Sequence, residues 1–278
     1  ATDLFNSNEQ NVYLSLNKGF YLLERHITRL LTSAEFFKLE TAGRLFSSIP
    51  NTEELKKALD TSVPKHEGRK RIRLLVDSHC EITIEHTPLL TPDVPPPNPL
   101  PIVLDSQPLP SSTSPWLRHK TTRREAYDSA RERAGCDYHG GRPGKEEIPF
   151  DVALWNERRE VTETSIANLA VEMPREGEGE SVWKTPSAEC GLLQGVFRAE
   201  HLATGKLIEG VITVEDLVLA QQQGRRIRCF NSVRGEYDVV LLPPFPVLVL
   251  SPEEERKRRR VEEIEAIRQR ALNRRRVG

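Results

Sequence analysis

The stretch "DVALWNERREVTETSIANLAVE", residues 151–172, decides how the rest of the chain is read. Its opening "DVALWNE" has the composition of a strand, "ERRE" of a turn, and "VTETSIANLAVE" of a second strand with an interruption. Glu163 stands among β-branched and small residues just where the strand-like run breaks. An acid there reads as a helix cap, as a loop charge, or as the partner of something cationic. The remainder of the chain has to choose.

Working outward, helices and strands alternate around this stretch. Upstream, "TTRREAYDSARERAG" reads as a helix and "HGGRPGKEEIP" as a Gly/Pro loop. Downstream, "VFRAEHLATG" is a helix closed by Gly205, and "TVEDLVLAQQQG" a helix with Thr213 as cap and Gly224 at its end. "IRCFNSV" and "YDVVLL" follow as strands. Nearer the N-terminus, residues 21–37 place Leu23, His26, Ile27, Leu30, Leu31, Ala34 and Phe37 on one apolar helix face, with Arg29 at its margin. "NTEELKKALDTS" starts with an Asn or Thr cap, and "RKRIRLLVDSHCEITIEHTPL" reads as a hairpin turning at 77–79. No strand is evident in "ATDLFNSNEQNVYLSL", so the first sheet is expected to be short or altered.

Between Pro92 and Pro115 the vocabulary becomes that of a connector, with one short strand, "IVL", inside it. Proline removes ladder donors and fixes φ, so neither a helix nor a central strand is expected there. The pattern predicts an α/β (α+β) chain with helices packed on sheet. Its expected divisions are an N-terminal domain over 1–104, a proline-rich linker over 105–118, a second α/β domain over 119–250 and a charged helix over 251–278. That tail carries ten Lys/Arg against six Glu, with Glu254–Arg258 and Glu255–Arg259 spaced to pair. It lacks the aromatic residues on which nucleic-acid bases stack.

The totals describe a globular protein: 278 residues, 37% apolar, 29% charged, net charge −1. No overall field recruits nucleic acid or membrane, and no apolar run approaches the roughly 20 residues of a span. Residue 1 is Ala, as expected of a trimmed start, and the first residues lack a basic-then-apolar pattern. Cys80, Cys136, Cys190 and Cys229 show no metal-ligand spacing and read as reduced, buried thiols of a cytoplasmic protein. "GGRPGKE" is no P-loop, because the glycine spacing is one short and Glu146 replaces the magnesium-binding hydroxyl.

Four features remain that carry chemistry together. Lys120, in "WLRHKTTRREAY", reads alone as a solvated charge, yet Arg118, Arg123 and Arg124 around it disfavour its ammonium form. A neutral amine forms Schiff bases. Glu163 is the carboxylate, Arg29 a second cation, and the glycine-rich lead of "CGLLQGVFRAEHL" exposes amides at a positive helix end, a ready anion site. Pyridoxal phosphate requires that set: a lysine imine, an acid that keeps the pyridine nitrogen protonated, and a cradle for phosphate.

The ordered motifs "ERHITRLLTSAEFF", "RHKTTRREAYDSAR", "DVALWNERREVTETSIANLAVE", "CGLLQGVFRAEHL" and "CFNSVRGEYDVVL" resemble the class IV, fold type IV pyridoxal phosphate enzymes. Among these the chain is most similar to fungal and bacterial 4-amino-4-deoxychorismate lyases. The resemblance implies a two-domain fold with the cofactor between the domains, and a homodimer. It implies that Lys120 binds the cofactor covalently, that Glu163 meets the pyridine nitrogen, and that Arg29 contacts the phosphate. The backbone of Val196 and Phe197 would complete the phosphate cradle, with Asn231 and Ser232 nearby. The implied reaction releases pyruvate from 4-amino-4-deoxychorismate to give 4-aminobenzoate. An aminotransferase acting on D- or branched-chain amino acids is the alternative, and a non-catalytic binding scaffold a third. Arg73 and Arg234, at strand ends, are candidate clamps for substrate carboxylates.

Overall fold

A computed structural model describes residues 7–15, 19–64, 68–89, 98–174 and 181–244, of which 7–15 are described by backbone alone. The segment 251–278, expected as a charged helix, lies outside the described residues.

The first sheet is antiparallel in the order β2-β1-β3-β4. Its strands are β1 (Ser7–Ser15), β2 (Gly19–Tyr21), β3 (Lys70–Asp77) and β4 (Ile82–Pro88). The opening strand that the sequence hides is therefore present and nine residues long. Serine, asparagine, glutamate and glutamine dominate its first half, so it shows no apolar alternation. Hydrogen bonding to β2 on one side and β3 on the other supplies what local propensity does not. Helix α1 (Leu23–Glu40) starts two residues later than its apolar pattern suggests, because Tyr21 pairs with Tyr13 in the sheet. Helix α2 (Thr52–Ser62) starts at Asn51 in a reciprocal capping box with Glu54.

Alternation along β3 is clean. Ile72, Leu74 and Val76 are buried with Ile27, Leu30, Ala34 and Phe37 of α1 and Leu55 and Leu59 of α2. With period two, Arg71 and Arg73 must then point to the opposite face. There they stand across from Thr87 and Glu85 of β4.

The second sheet has eight strands in the order β10-β9-β8-β11-β12-β5-β6-β7. They are β5 (Leu100–Leu104), β6 (Asp151–Trp155), β7 (Val161–Thr164), β8 (Asn168–Pro174), β9 (Ser181–Pro186), β10 (Ile208–Gly210), β11 (Ile227–Asn231) and β12 (Gly235–Leu241). Four helices accompany it: α3 (Pro115–Arg118), α4 (Glu125–Arg133), α5 (Val196–Ala203) and α6 (Val214–Gln222). Thr213 caps α6 in a capping box with Asp216, and Gly205 and Gly224 adopt positive φ just past the ends of α5 and α6.

One expectation is corrected. The proline-rich stretch does contribute an interior strand, since β5 lies between β12 and β6, parallel to both. Pro101 brings no ladder donor, but its carbonyl accepts from the Phe150 N–H at 2.7 Å. Strands β7 and β8 stand eighth and third in the sheet order yet are joined by three residues, so the sheet curls until they meet. That joint is the "TSIAN" interruption, a bend closed by Thr164, whose N–H and hydroxyl both donate to the Ala167 carbonyl (2.8 and 3.0 Å). Among the described residues no helix is long and apolar enough to cross a membrane.

Candidate active site

Glu163, one residue before that bend, is 4% exposed. Its Oε1 accepts from the Tyr127 hydroxyl at 2.8 Å and from the Leu193 N–H at 2.9 Å, and its Oε2 from the Asn168 amide at 3.2 Å. Burial nevertheless dominates and pushes its pKa up to about 7, against the lowering effect of these donors and of Lys120 and Arg124. Tyr127 responds in kind, its hydroxyl held well above the usual phenol range by burial and by the neighbouring carboxylate. The carboxylate is thus neither a helix cap nor a loop charge. It is a buried, tethered acid facing a cavity.

That cavity, of about 710 Å³, brings together all nine residues singled out in the sequence: Arg29, Arg73, Lys120, Glu163, Val196, Phe197, Asn231, Ser232 and Arg234. Lys120 is half-buried. It follows α3, whose end is pinned onto α1. Trp116 stacks on Phe37 at 4.8 Å, His119 stacks on Phe36 at 4.3 Å, and His119 Nδ1 lies 3.0 Å from Ser33 Oγ. Two of the three arginines near Lys120 in sequence, Arg123 and Arg124, line the same cavity. Arg118 does not, and donates instead to the Ser112 carbonyl.

Arg29, from the margin of α1, reaches across to the Gln194 carbonyl at 3.5 Å, beside the start of α5. Burial lowers its pKa to about 10, with Glu163 working the other way, so it stays charged at neutral pH. His26, one turn earlier on α1, is wholly buried, and neither ring nitrogen has a hydrogen-bond partner among the described residues. Its pKa is well below the usual value, first by burial and then by the cations of Arg29 and Lys120.

The start of α5 is shaped by Gly195 and Asn168. Gly195 caps α5 without a side-chain acceptor, and the first-turn amides of Val196 and Phe197 have no intrahelical partner. The Gly195 N–H donates to Asn168 Oδ1 at 3.1 Å, while Asn168 Nδ2 donates to the Leu193 carbonyl at 2.8 Å. A Cβ at position 195 would lie 2.1 Å from Asn168 Oδ1, so only glycine fits without displacing that amide. On the other side, Asn231 Oδ1 accepts from the N–H groups of Val233 (3.0 Å) and Arg234 (2.8 Å), and its Nδ2 donates to the Ile166 carbonyl. One asparagine thus ties the β11–β12 turn to the bend after Glu163.

Asn168, Tyr127, Arg71 and Tyr138 line or brace the site without having been assigned to it from sequence. Arg71 carried a readable signal, two residues from Arg73 on an alternating strand. Asn168 and Tyr127 carried none, since a buried amide and a buried phenol look the same in sequence whatever they bond. Seven Lys/Arg line the cavity against two Glu, so it is strongly cationic.

Comparisons with known proteins agree with this architecture. The family model for "Amino-transferase class IV" matches residues 11–241. The chain is 29% identical over 226 residues to a candidate aminodeoxychorismate lyase of Schizosaccharomyces pombe, covering 80% of this chain and 84% of that protein. It resembles the crystal structure of a candidate amino-acid aminotransferase from Mesorhizobium loti, with TM-score 0.64 and 26% identity over 85% of this chain and all of the other. A candidate 4-amino-4-deoxychorismate lyase from Legionella pneumophila shares the fold, with TM-score 0.65 and 16% identity over 94% and 91% of the two chains. With Lys120, Glu163 and the start of α5 lining one cavity, the chain belongs to the class IV amino-transferase family.

Proposed function

We propose that the protein binds pyridoxal phosphate through Lys120 and eliminates pyruvate from 4-amino-4-deoxychorismate, leaving 4-aminobenzoate. The carrying observation is that one cavity holds Lys120, the buried acid Glu163 and the uncapped start of α5, with five further arginines around them besides Arg29. The residues fit the cofactor on their own chemistry: Gly195 leaves no room for a side chain over the helix terminus, and Glu163 keeps three donors around a buried carboxylate. When bound, the cofactor supplies an electrophilic aldehyde and a conjugated ring that accepts an electron pair.

The chain's own groups do the rest. The amides of Val196 and Phe197, with Arg29, hold the phosphate. Glu163 holds a proton at the ring nitrogen, and Tyr127, Asn168 and the Leu193 N–H keep its carboxylate aimed. Lys120 Nζ would hold the cofactor covalently and, as a free amine, would take the proton from the substrate carbon that bears the amine. The C–O bond to the enolpyruvyl group then breaks, that group takes up a proton and leaves as pyruvate, and the carbocycle becomes aromatic. Two carboxylates on the substrate suit a cavity in which cationic side chains outnumber acids, and Arg73 and Arg234 are the proposed contacts.

The test is direct. Borohydride reduction of the cofactor-loaded protein, followed by peptide mapping, is expected to find the pyridoxyl group on Lys120. Pyruvate is expected from 4-amino-4-deoxychorismate with no keto acid added. A requirement for a keto acid acceptor would identify an aminotransferase instead.

A further inference from the structure

We propose that Tyr138 and Arg234 form a subsite at the cavity mouth that selects a substrate carrying a planar, unsaturated six-membered ring with a carboxylate. The inference rests on the lyase reading above and adds what makes this cavity prefer a ring to an aliphatic amino acid.

Tyr138 lines the cavity while remaining 51% exposed, so a large aromatic surface stands at its rim. The loop that carries it is built to hold it there. The Asp137 N–H donates to the Pro149 carbonyl at 2.9 Å, the Gly141 N–H to the Lys145 carbonyl at 2.8 Å, and the Phe150 N–H to Pro101 of β5 at 2.7 Å. Gly140 packs so tightly that a Cβ would lie 2.4 Å from the Ile148 carbonyl.

A fixed cation lies against the ring. The Arg131 guanidinium is 4.0 Å from the Tyr138 centroid. Arg131 is itself clamped, donating to Asp151 at 2.9 Å, to Ser165 Oγ at 3.0 Å and to the Phe150 carbonyl at 3.1 Å. A cation on one face draws π density towards itself and leaves the opposite face poorer in electrons. That face can pack against the flat unsaturated part of a carbocycle.

Arg234 supplies the charge beside it. Its guanidinium lies 4.9 Å from the Phe150 ring, which Tyr138 meets edge-on at 6.5 Å, so both side chains pack on the same buried ring. Arg234 is exposed, and among the described residues it makes no ion pair. A ring with amine and carboxylate at opposite ends can offer the amine to Lys120 and the carboxylate to Arg234, two cations of one cavity, whereas an α-amino acid bears both groups on one carbon.

Titration calorimetry of the cofactor-loaded protein with benzoate and with cyclohexanecarboxylate, equal in charge but differing in planarity, tests this. Tyr138→Ala is expected to weaken benzoate by about fivefold or more and cyclohexanecarboxylate by less than about twofold, with Tyr138→Phe close to wild type. Arg234→Gln is expected to weaken both. Equal losses for the two ligands in Tyr138→Ala, or no loss in either, would overturn the subsite. Pyruvate release by the same preparations separates the two readings. Release by wild type alongside an unchanged benzoate affinity in Tyr138→Ala removes the subsite alone, whereas no release by wild type removes the proposed reaction.

Discussion

The Tyr127 hydroxyl donates to Glu163 Oε1 at 2.8 Å, a hydrogen bond between α4 and β7 whose two residues are both buried. It is one of three donors that keep a buried carboxylate usable. Tyr127→Phe removes it without removing the ring. The remaining donors then carry more of the cost of burying the charge, so the Glu163 pKa rises further. The expected outcome is a stability loss of about 1 kcal/mol and a fall in kcat/KM on the order of tenfold. Urea unfolding and pyruvate release measure the two. Unchanged turnover would show that Glu163 does not need the phenol.

Glu163 also imposes a pH dependence on the cofactor-free protein. Its folded pKa, about 7, lies above the ordinary carboxylate value, so between about 4.5 and 7 the folded state holds a proton that the unfolded state has lost. Its contribution is therefore fully present below about pH 4.5 and is lost as pH rises towards 7, by at most about 3 kcal/mol. His26 acts in the opposite sense, because its depressed pKa takes stability away as pH falls below about 6.5. The difference between wild type and Glu163→Gln isolates the first effect. Urea midpoints at pH 5, 6, 7 and 8 are expected to show wild type losing ground to the variant as pH rises to 7, then a constant gap. A gap independent of pH throughout would refute the raised pKa.

Gly195→Ala tests the anion cradle. The added methyl would meet Asn168 Oδ1 at 2.1 Å, forcing apart the amide that positions both Glu163 and the start of α5. We expect a destabilisation of about 1–3 kcal/mol and a cofactor affinity at least about tenfold weaker, read by titrating pyridoxal phosphate against its absorbance. Wild-type affinity in this variant would mean that the α5 terminus does not hold the phosphate.

Much of this molecule is written locally. The capping boxes of Asn51–Glu54 and Thr213–Asp216, the positive-φ glycines at 205 and 224, and the apolar face of α1 all act within a few residues, and each is readable in the sequence. Which residues gather in the cavity was readable too, because an amine, an acid and a glycine-led helix start are recognisable residue by residue. What could not be read is decided by partners distant in the chain. β1 is a strand because β3 lies alongside it, and β5 is interior despite Pro101 because β12 and β6 pair on either side of it. Asn168 and Tyr127 become site residues only once the sheet curls and sets β7 against β8 and α4. Caps and periodicity are short-range and survive in one dimension. The pairing of a buried polar atom depends on which remote segment satisfies it, and only the folded chain makes that choice.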